Sequence, residues 1–218
     1  MSSYEVARAH MIASQLRPNG IIDRRLLDAL ATIRRELFVP EGLRAVAYVD
    51  EGLPLGAGRY LMEPRVAARL LQAASVGPAD IALVVGAGSG YEAAVLGLLA
   101  RSVVALEEDA NLARMARAAL VEHGIASVAV VEGPLRQGCR ARAPFEVILF
   151  GGAVAEVPPE IGLQLADGGR LVAVVRAAGS VGRGAIYTRS EGVFAHRPIF
   201  DAATPLLPGF SPRPAFTL

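Results

Sequence analysis

The sequence predicts an α/β protein, a mostly parallel sheet with helices on both faces and an N-terminal helical extension. Three observations lead there. From residue 80 onward, short apolar strand-like runs alternate with segments of helical period. Within that region, "ALVVGAGSGYEAAVL" (residues 82–96) passes from strand through a glycine loop into a helix. The first 75 residues read instead as helices and loops. The chain is 53% hydrophobic with a mean hydropathy of +0.41, which strands buried on both faces of a parallel sheet account for.

The elements follow in order. "IIDRRLLDALATI" (21–33) places Leu26, Leu27, Leu30 and Ile33 on one helix face, with Asp23 as the N-cap. "GLPLGAGRYLMEP" (52–64) is rich in Gly and Pro and reads as a loop. "PRVAARLLQAA" (64–74) opens on Pro64, suited to a first helical turn, and stacks Val66, Leu70 and Ala74 at spacing four. "IALVV" (81–85) is a strand, followed by a helix from about Tyr91 to Ala100. "SVVAL" (102–106) is the next strand, and "NLARMARAALVEH" (111–123) puts Leu112, Met115, Ala116, Ala119 and Leu120 on one face. "SVAVVE" (127–132), "EVILF" (146–150) and "GRLVAVV" (169–175) complete the strong strands. "GAIYT" (184–188) and "VFAHRPI" (193–199) are weaker strand signals before a Pro-rich end.

There is no internal repeat and no low-complexity linker, so residues 1–218 read as one domain. Residues 1–78 form a helical cap and loop, too short and too apolar-faced to stand free, and 79–218 form the core.

Composition excludes several chemistries. Cys139 is the only cysteine, so neither an internal disulfide nor a multi-cysteine metal cluster is expected. His10, His123 and His196 lie far apart, and no metal is expected. The net charge of +1 gives no pull towards nucleic acid or an anionic membrane. No apolar run is long enough to span a bilayer, and "MSSYEVARAHM" lacks the features of a signal peptide. A cytoplasmic setting is the default expectation. All 22 basic residues are arginines, which removes phosphate-loop lysines, Schiff bases and lysine general bases. The pairs Arg24–Arg25 and Arg34–Arg35 read as solvated helix faces.

A glycine loop between strand and helix presents backbone N–H groups and a helix N-terminus to a ligand. Here the glycines are Gly86, Gly88 and Gly90, and position 91 is Tyr. The spacing is G-x-G-x-G rather than the G-x-G-x-x-G of dinucleotide sites, and it suits an adenosyl ligand without a pyrophosphate. Glu107 ends "VVALE", 21 residues after Gly86, where a carboxylate can accept from both ribose hydroxyls. A second reading makes it one of several helix-start acids with Glu108 and Asp109.

Beyond the loop, the chain resembles the protein-L-isoaspartate O-methyltransferases, which use S-adenosylmethionine. The resemblance rests on "QLRPNGIIDRRLLDAL", "RRELFVPEGLRAVAYVDEGLPLGAGR", "GAGSGYEAAVL", "VVALEED" and "APFEVILFGGAVAEVPPEIGLQLADGGRLV". It runs through residues 8–175 and fades in "PIFDAATPLLPGF". It implies a Rossmann-like methyltransferase fold, with S-adenosylmethionine as methyl donor and S-adenosylhomocysteine as product. The acceptor implied is the side-chain carboxylate of an isoaspartyl residue in a damaged protein. The methyl ester collapses to a succinimide that reopens partly to aspartate, a repair reaction. A carboxylate is already ionised at neutral pH, so alignment matters more than a strong base. No nucleic acid, membrane or metal is implied, and no oligomeric state follows.

Three departures stand against the family pattern. The family's Gly-Gln-Thr-Ile-Ser-Gln-Pro loop is here "GRYLMEP", so Met62 takes the place of the serine thought to hold the acceptor carboxylate. Losing such a contact costs on the order of 1–3 kcal/mol; Tyr60 is the alternative hydroxyl. The family's Glu-Ile-Gly strand end is Val84-Val85-Gly86. The family's Gly-Asp-Gly, whose acid meets the adenine amino group, aligns with Gly133, Pro134 and Leu135; Glu132 is the nearest acid. Two readings stay open: an active carboxyl methyltransferase, or a weakened or inactive member of the fold acting as a binding or regulatory module.

Overall fold

A computed structural model describes residues 2–212; the last residues of the Pro-rich end lie outside them. The cap opens with α1 (Ser3–His10), where the Ser2 hydroxyl accepts from Glu5 N and the Glu5 carboxylate accepts from Ser2 N. In α2 (Arg24–Thr32) the expected cap is in place, Asp23 accepting from Leu26 N at 3.2 Å.

The expected loop at 52–64 is instead a hairpin, β1 (Leu53–Gly56) and β2 (Arg59–Leu61), paired only to itself. Its period is two: Leu53, Leu55, Arg59 and Leu61 turn inward, while Pro54, Gly56 and Tyr60 turn outward. Gly56, Ala57 and Gly58 all take positive φ, which lets the chain reverse within three residues. α3 (Pro64–Ala74) begins at Pro64 as expected.

The core alternates as the sequence predicts: β3 (Ile81–Val85), α4 (Tyr91–Gly97), β4 (Ser102–Glu107), α5 (Ala110–Glu122), β5 (Val128–Glu132), β6 (Phe145–Val154), α6 (Pro159–Gly162) and β7 (Leu165–Val175). The weaker signals are also strands, β8 (Arg183–Ser190) and β9 (Val193–Asp201). The sheet runs β5-β4-β3-β6-β7-β8-β9; it is parallel through β7, and β8 and β9 complete it through antiparallel pairings. Successive strands leave β3 towards β5 on one side and from β6 outwards on the other. That reversal between β3 and β6 is the topological switch point, where open α/β sheets bind their ligands.

One hydrophobic cluster joins the cap to a sheet face, with Met11, Leu26, Leu30, Phe38 and Leu70 packed among Val84, Val147 and Val172. The opposite face carries Leu83, Val85, Ile148, Phe150 and Leu171. The arginine pairs are not simply solvated faces. Arg25 donates to Val76 O (2.9 Å) and Leu99 O (2.8 Å), and the Arg35 side chain is fully buried. Arg35 offsets part of the desolvation cost of burial by donating to Ala47 O and Met62 O, both at 2.7 Å.

Candidate functional site at the glycine loop

The glycine loop leaves β3 at the switch point and enters α4. Gly86, Gly88 and Gly90 all hold positive φ, so a side chain at any of them would be strained. The segment Arg34–Phe38 docks the cap onto this loop. Ser89 Oγ donates to Phe38 O, the Phe38 ring meets Tyr91 edge-on at 5.6 Å, and Arg35 lies 4.7 Å above the Tyr91 ring. His123 stacks on Phe38 and accepts from Arg34 N at 3.1 Å; burial lowers its pKa, with the Arg34 charge adding to the effect.

Glu107 stands at the tip of β4, fully buried. Its Oε2 accepts from Gly88 N at 2.7 Å, and its Oε1 from Glu108 N and Asp109 N, each at 3.0 Å. The fourth donor comes from the hairpin: Arg59 Nη1 lies 2.7 Å from Oε1. Arg59 Nη2 donates at 2.6 Å to Gly86 O, so the guanidinium bridges the ends of β3 and β4. The carboxylate thus has four donors, three of them crowded on Oε1 and one on Oε2.

Two apolar side chains close the remaining space. A Cβ on Gly88 would lie 3.0 Å from Leu55 Cδ1, and one on Gly86 would lie 3.1 Å from Leu207 Cδ2. Leu207 belongs to a C-terminal strap across the end of β6, held by Ala153 N to Pro205 O (2.9 Å) and Leu207 N to Ala153 O (2.7 Å). The hairpin turn meets this strap, Gly58 lying against Pro208. Behind the hairpin, Arg35 Nη1, Arg59 Nε, Tyr91 OH and Glu92 Oε1 are buried without hydrogen-bond partners. Burial raises the pKa of Glu92, opposed first by the Arg35 charge and, more weakly, by its own backbone bond and Arg59.

The other sequence-derived positions lie around this centre. Met62 is buried in the core at 1% exposure, and it is its carbonyl that is engaged, by Arg35. Tyr60 points out of the hairpin at 39% exposure. Glu132 is exposed and pairs with Arg117 at 2.7 Å. Gly133 N donates to Glu107 O at 3.1 Å; Gly133 is half-buried, Pro134 exposed and Leu135 buried. The structure thus brings Gly86, Gly88, Gly90 and Glu107 together at the ends of β3 and β4 with Gly133 beside them, and leaves Tyr60 and Glu132 facing outward.

Sequence reasoning passes over Arg59, Leu55 and Leu207. The signal for Arg59 is a cation in a loop that the family pattern fills with glutamine. Leu55 and Leu207 carry no local signal, because their role depends on where the hairpin and the strap land. Among the described residues no group of three or more His, Cys, Asp or Glu side chains could hold a metal, and no helix is long and apolar enough to cross a membrane.

Glycine loop, acidic strand tip and switch point together define a nucleoside-binding α/β protein of the methyltransferase type. Comparison with known proteins takes this further. Residues 7–194 match the family model described as protein-L-isoaspartate(D-aspartate) O-methyltransferase, and the chain belongs to that family. The protein-L-isoaspartate O-methyltransferase of Koribacter versatilis is 44% identical over 172 residues, covering 79% of this chain and 78% of the relative. The Methylorubrum populi enzyme of the same name is 42% identical over 175 residues, covering 80% and 82%.

Solved structures agree on the fold. A protein-L-isoaspartate O-methyltransferase superposes with a TM-score of 0.81 at 22% identity, over 94% of this chain and 67% of that one. A Plasmodium falciparum structure of this type, in complex with S-adenosyl-L-homocysteine, gives 0.80 at 18% identity, over 95% and 99%.

Proposed function

We propose that the protein methylates the free carboxylate of isoaspartyl residues in damaged proteins, with S-adenosylmethionine as donor. The observation that carries this is family membership over residues 7–194, a span that includes the glycine loop and Glu107. The cofactor supplies an electrophilic methyl on a sulfonium, and S-adenosylhomocysteine leaves when a carboxylate oxygen takes that methyl. The frame has the right donors and acceptor: backbone N–H groups at the entry to α4 and a carboxylate at the tip of β4. In the arrangement held by the structure the ligand does not fit, since Arg59, Leu55 and Leu207 stand where it would lie.

An isoaspartyl peptide is the substrate that tests the reading. Calorimetry with S-adenosylhomocysteine, followed by methyl transfer from labelled S-adenosylmethionine, is expected to give saturable binding and turnover that an aspartyl control peptide lacks. Absence of binding at millimolar ligand would overturn the reading; binding without turnover on this peptide would move the acceptor to another carboxylate.

A further inference from the structure

We propose that Arg59 is a built-in competitor for the nucleoside seat, and that the β1–β2 hairpin carrying it is a lid that lifts before an adenosyl ligand enters. The inference rests on the cofactor reading above and deepens it. A ribose held at the tip of β4 donates two hydroxyls to the Glu107 carboxylate. That carboxylate already accepts from Gly88 N, Glu108 N, Asp109 N and Arg59 Nη1. The three backbone donors belong to the loop and the strand end; Arg59 alone is carried by a separable element. Its second bond, to Gly86 O, lays the guanidinium over the adjoining ends of β3 and β4, where a nucleoside held by Glu107 would lie. Leu55, on the same hairpin, covers Gly88. One movement of one element therefore uncovers both the carboxylate and Gly88, while Leu207 on the strap stays over Gly86.

The hairpin is a separate element of the sheet architecture. It forms a two-stranded sheet of its own, with no ladder to the main sheet. Short two-stranded hairpins are marginal alone, and this one is held by Leu53, Leu55 and Leu61 in the main hydrophobic cluster and by the bonds of Arg59. The Arg59 guanidinium keeps its Nε buried and unpaired, so its hold is incomplete. Closure of this kind lowers apparent affinity in proportion to the fraction of molecules that are open.

The full-length chain and its Arg59→Gln variant are titrated with S-adenosylhomocysteine by calorimetry, and amide exchange across residues 53–61 is followed with and without ligand. The variant is expected to bind about tenfold or more tighter than the parent. Saturating ligand is expected to speed exchange in the parent hairpin. Equal affinities with unchanged hairpin protection would overturn the lid and leave the cofactor reading standing; no binding by either protein at millimolar ligand would overturn both. Should Arg59→Gln fail to fold with Glu107 left uncompensated, Leu55→Ala loosens the same lid without touching the ion pair. It is expected to bind several-fold tighter, and parental affinity would overturn the proposal.

Discussion

Glu92 shows how little the fold supports a charge beside its own glycine loop. It is buried, Oε1 has no partner, and desolvation raises its pKa despite the nearby Arg35 and Arg59 charges. A carboxyl whose folded pKa lies above its ordinary value of 4.5 holds its proton longer in the native state than in the unfolded one. Its contribution is therefore intact below about pH 4.5 and declines as pH rises from there towards the folded pKa. Glu92→Gln is expected to raise the urea midpoint at pH 8, with the gap over the parent closing by pH 4; a gap that widened on acidification would refute this. Met62→Ser removes apolar volume from a site that is 1% exposed and buries a hydroxyl, so a loss of about 2–3 kcal/mol is expected in urea unfolding. At this scale the sequence reveals glycines and acids in a pattern, because loop chemistry is local. The partners of Arg35 and Arg59 come from carbonyls and a carboxylate 12 to 48 residues away, which no local pattern encodes.

Elements were legible in proportion to the length of their period. The helices at 24–32, 64–74 and 110–122 and the five strong strands carry enough turns or alternations to stand out. The hairpin at 53–61 offers only two inward positions per strand, and its glycines mimic an irregular loop. α4 stops at Gly97, three residues before the expected Ala100, because its C-terminal end is pressed against β5. A Cβ at Gly97 would sit 2.7 Å from Val128 Cγ2 and 2.9 Å from both Ile125 Cγ2 and Ser127 Oγ, and Ser127 Oγ already donates to Gly97 O at 2.7 Å. Helix propensity alone would reward Gly97→Ala by up to about 1 kcal/mol. Overpacking against two side chains and a hydrogen-bonded hydroxyl costs about 1–3 kcal/mol, so net destabilisation is expected. Thermal unfolding of Gly97→Ala checks the sign; a raised Tm would mean that β5 yields at no cost.

At the scale of the whole molecule, alternation predicts a parallel sheet but not that the strand order turns at β3 and β6, since order is set by which faces meet. Nor does it say how firmly the cap is joined to the core. Arg170, on β7, answers that second point. Its guanidinium donates to Ala74 O at 2.9 Å, Ser75 O at 3.0 Å and Asp80 Oδ2 at 2.6 Å, tying the end of α3 and the turn before β3 to the sheet. Arg25 makes a second tie from α2 to Val76 and Leu99, and the cap and one sheet face share a single hydrophobic cluster. With both apolar and polar joints crossing the boundary near residue 78, neither side can open without exposing the other, so cap and core are expected to unfold together. Arg170→Ala strands an acid and two carbonyls; each bond to a charged group contributes about 1.5–3 kcal/mol, and partial exposure of this pair argues for a net loss near about 2–3 kcal/mol. The measurement is a urea titration followed by far-UV circular dichroism and by tyrosine fluorescence, which draws on Tyr4, Tyr48 and Tyr60 in the cap and Tyr91 and Tyr187 in the core. In the parent the two signals are expected to coincide, and in Arg170→Ala to move together to lower urea. Separation of the two midpoints in either protein would show the cap to be a unit of its own, and the shared cluster would then be too weak to couple it to the sheet.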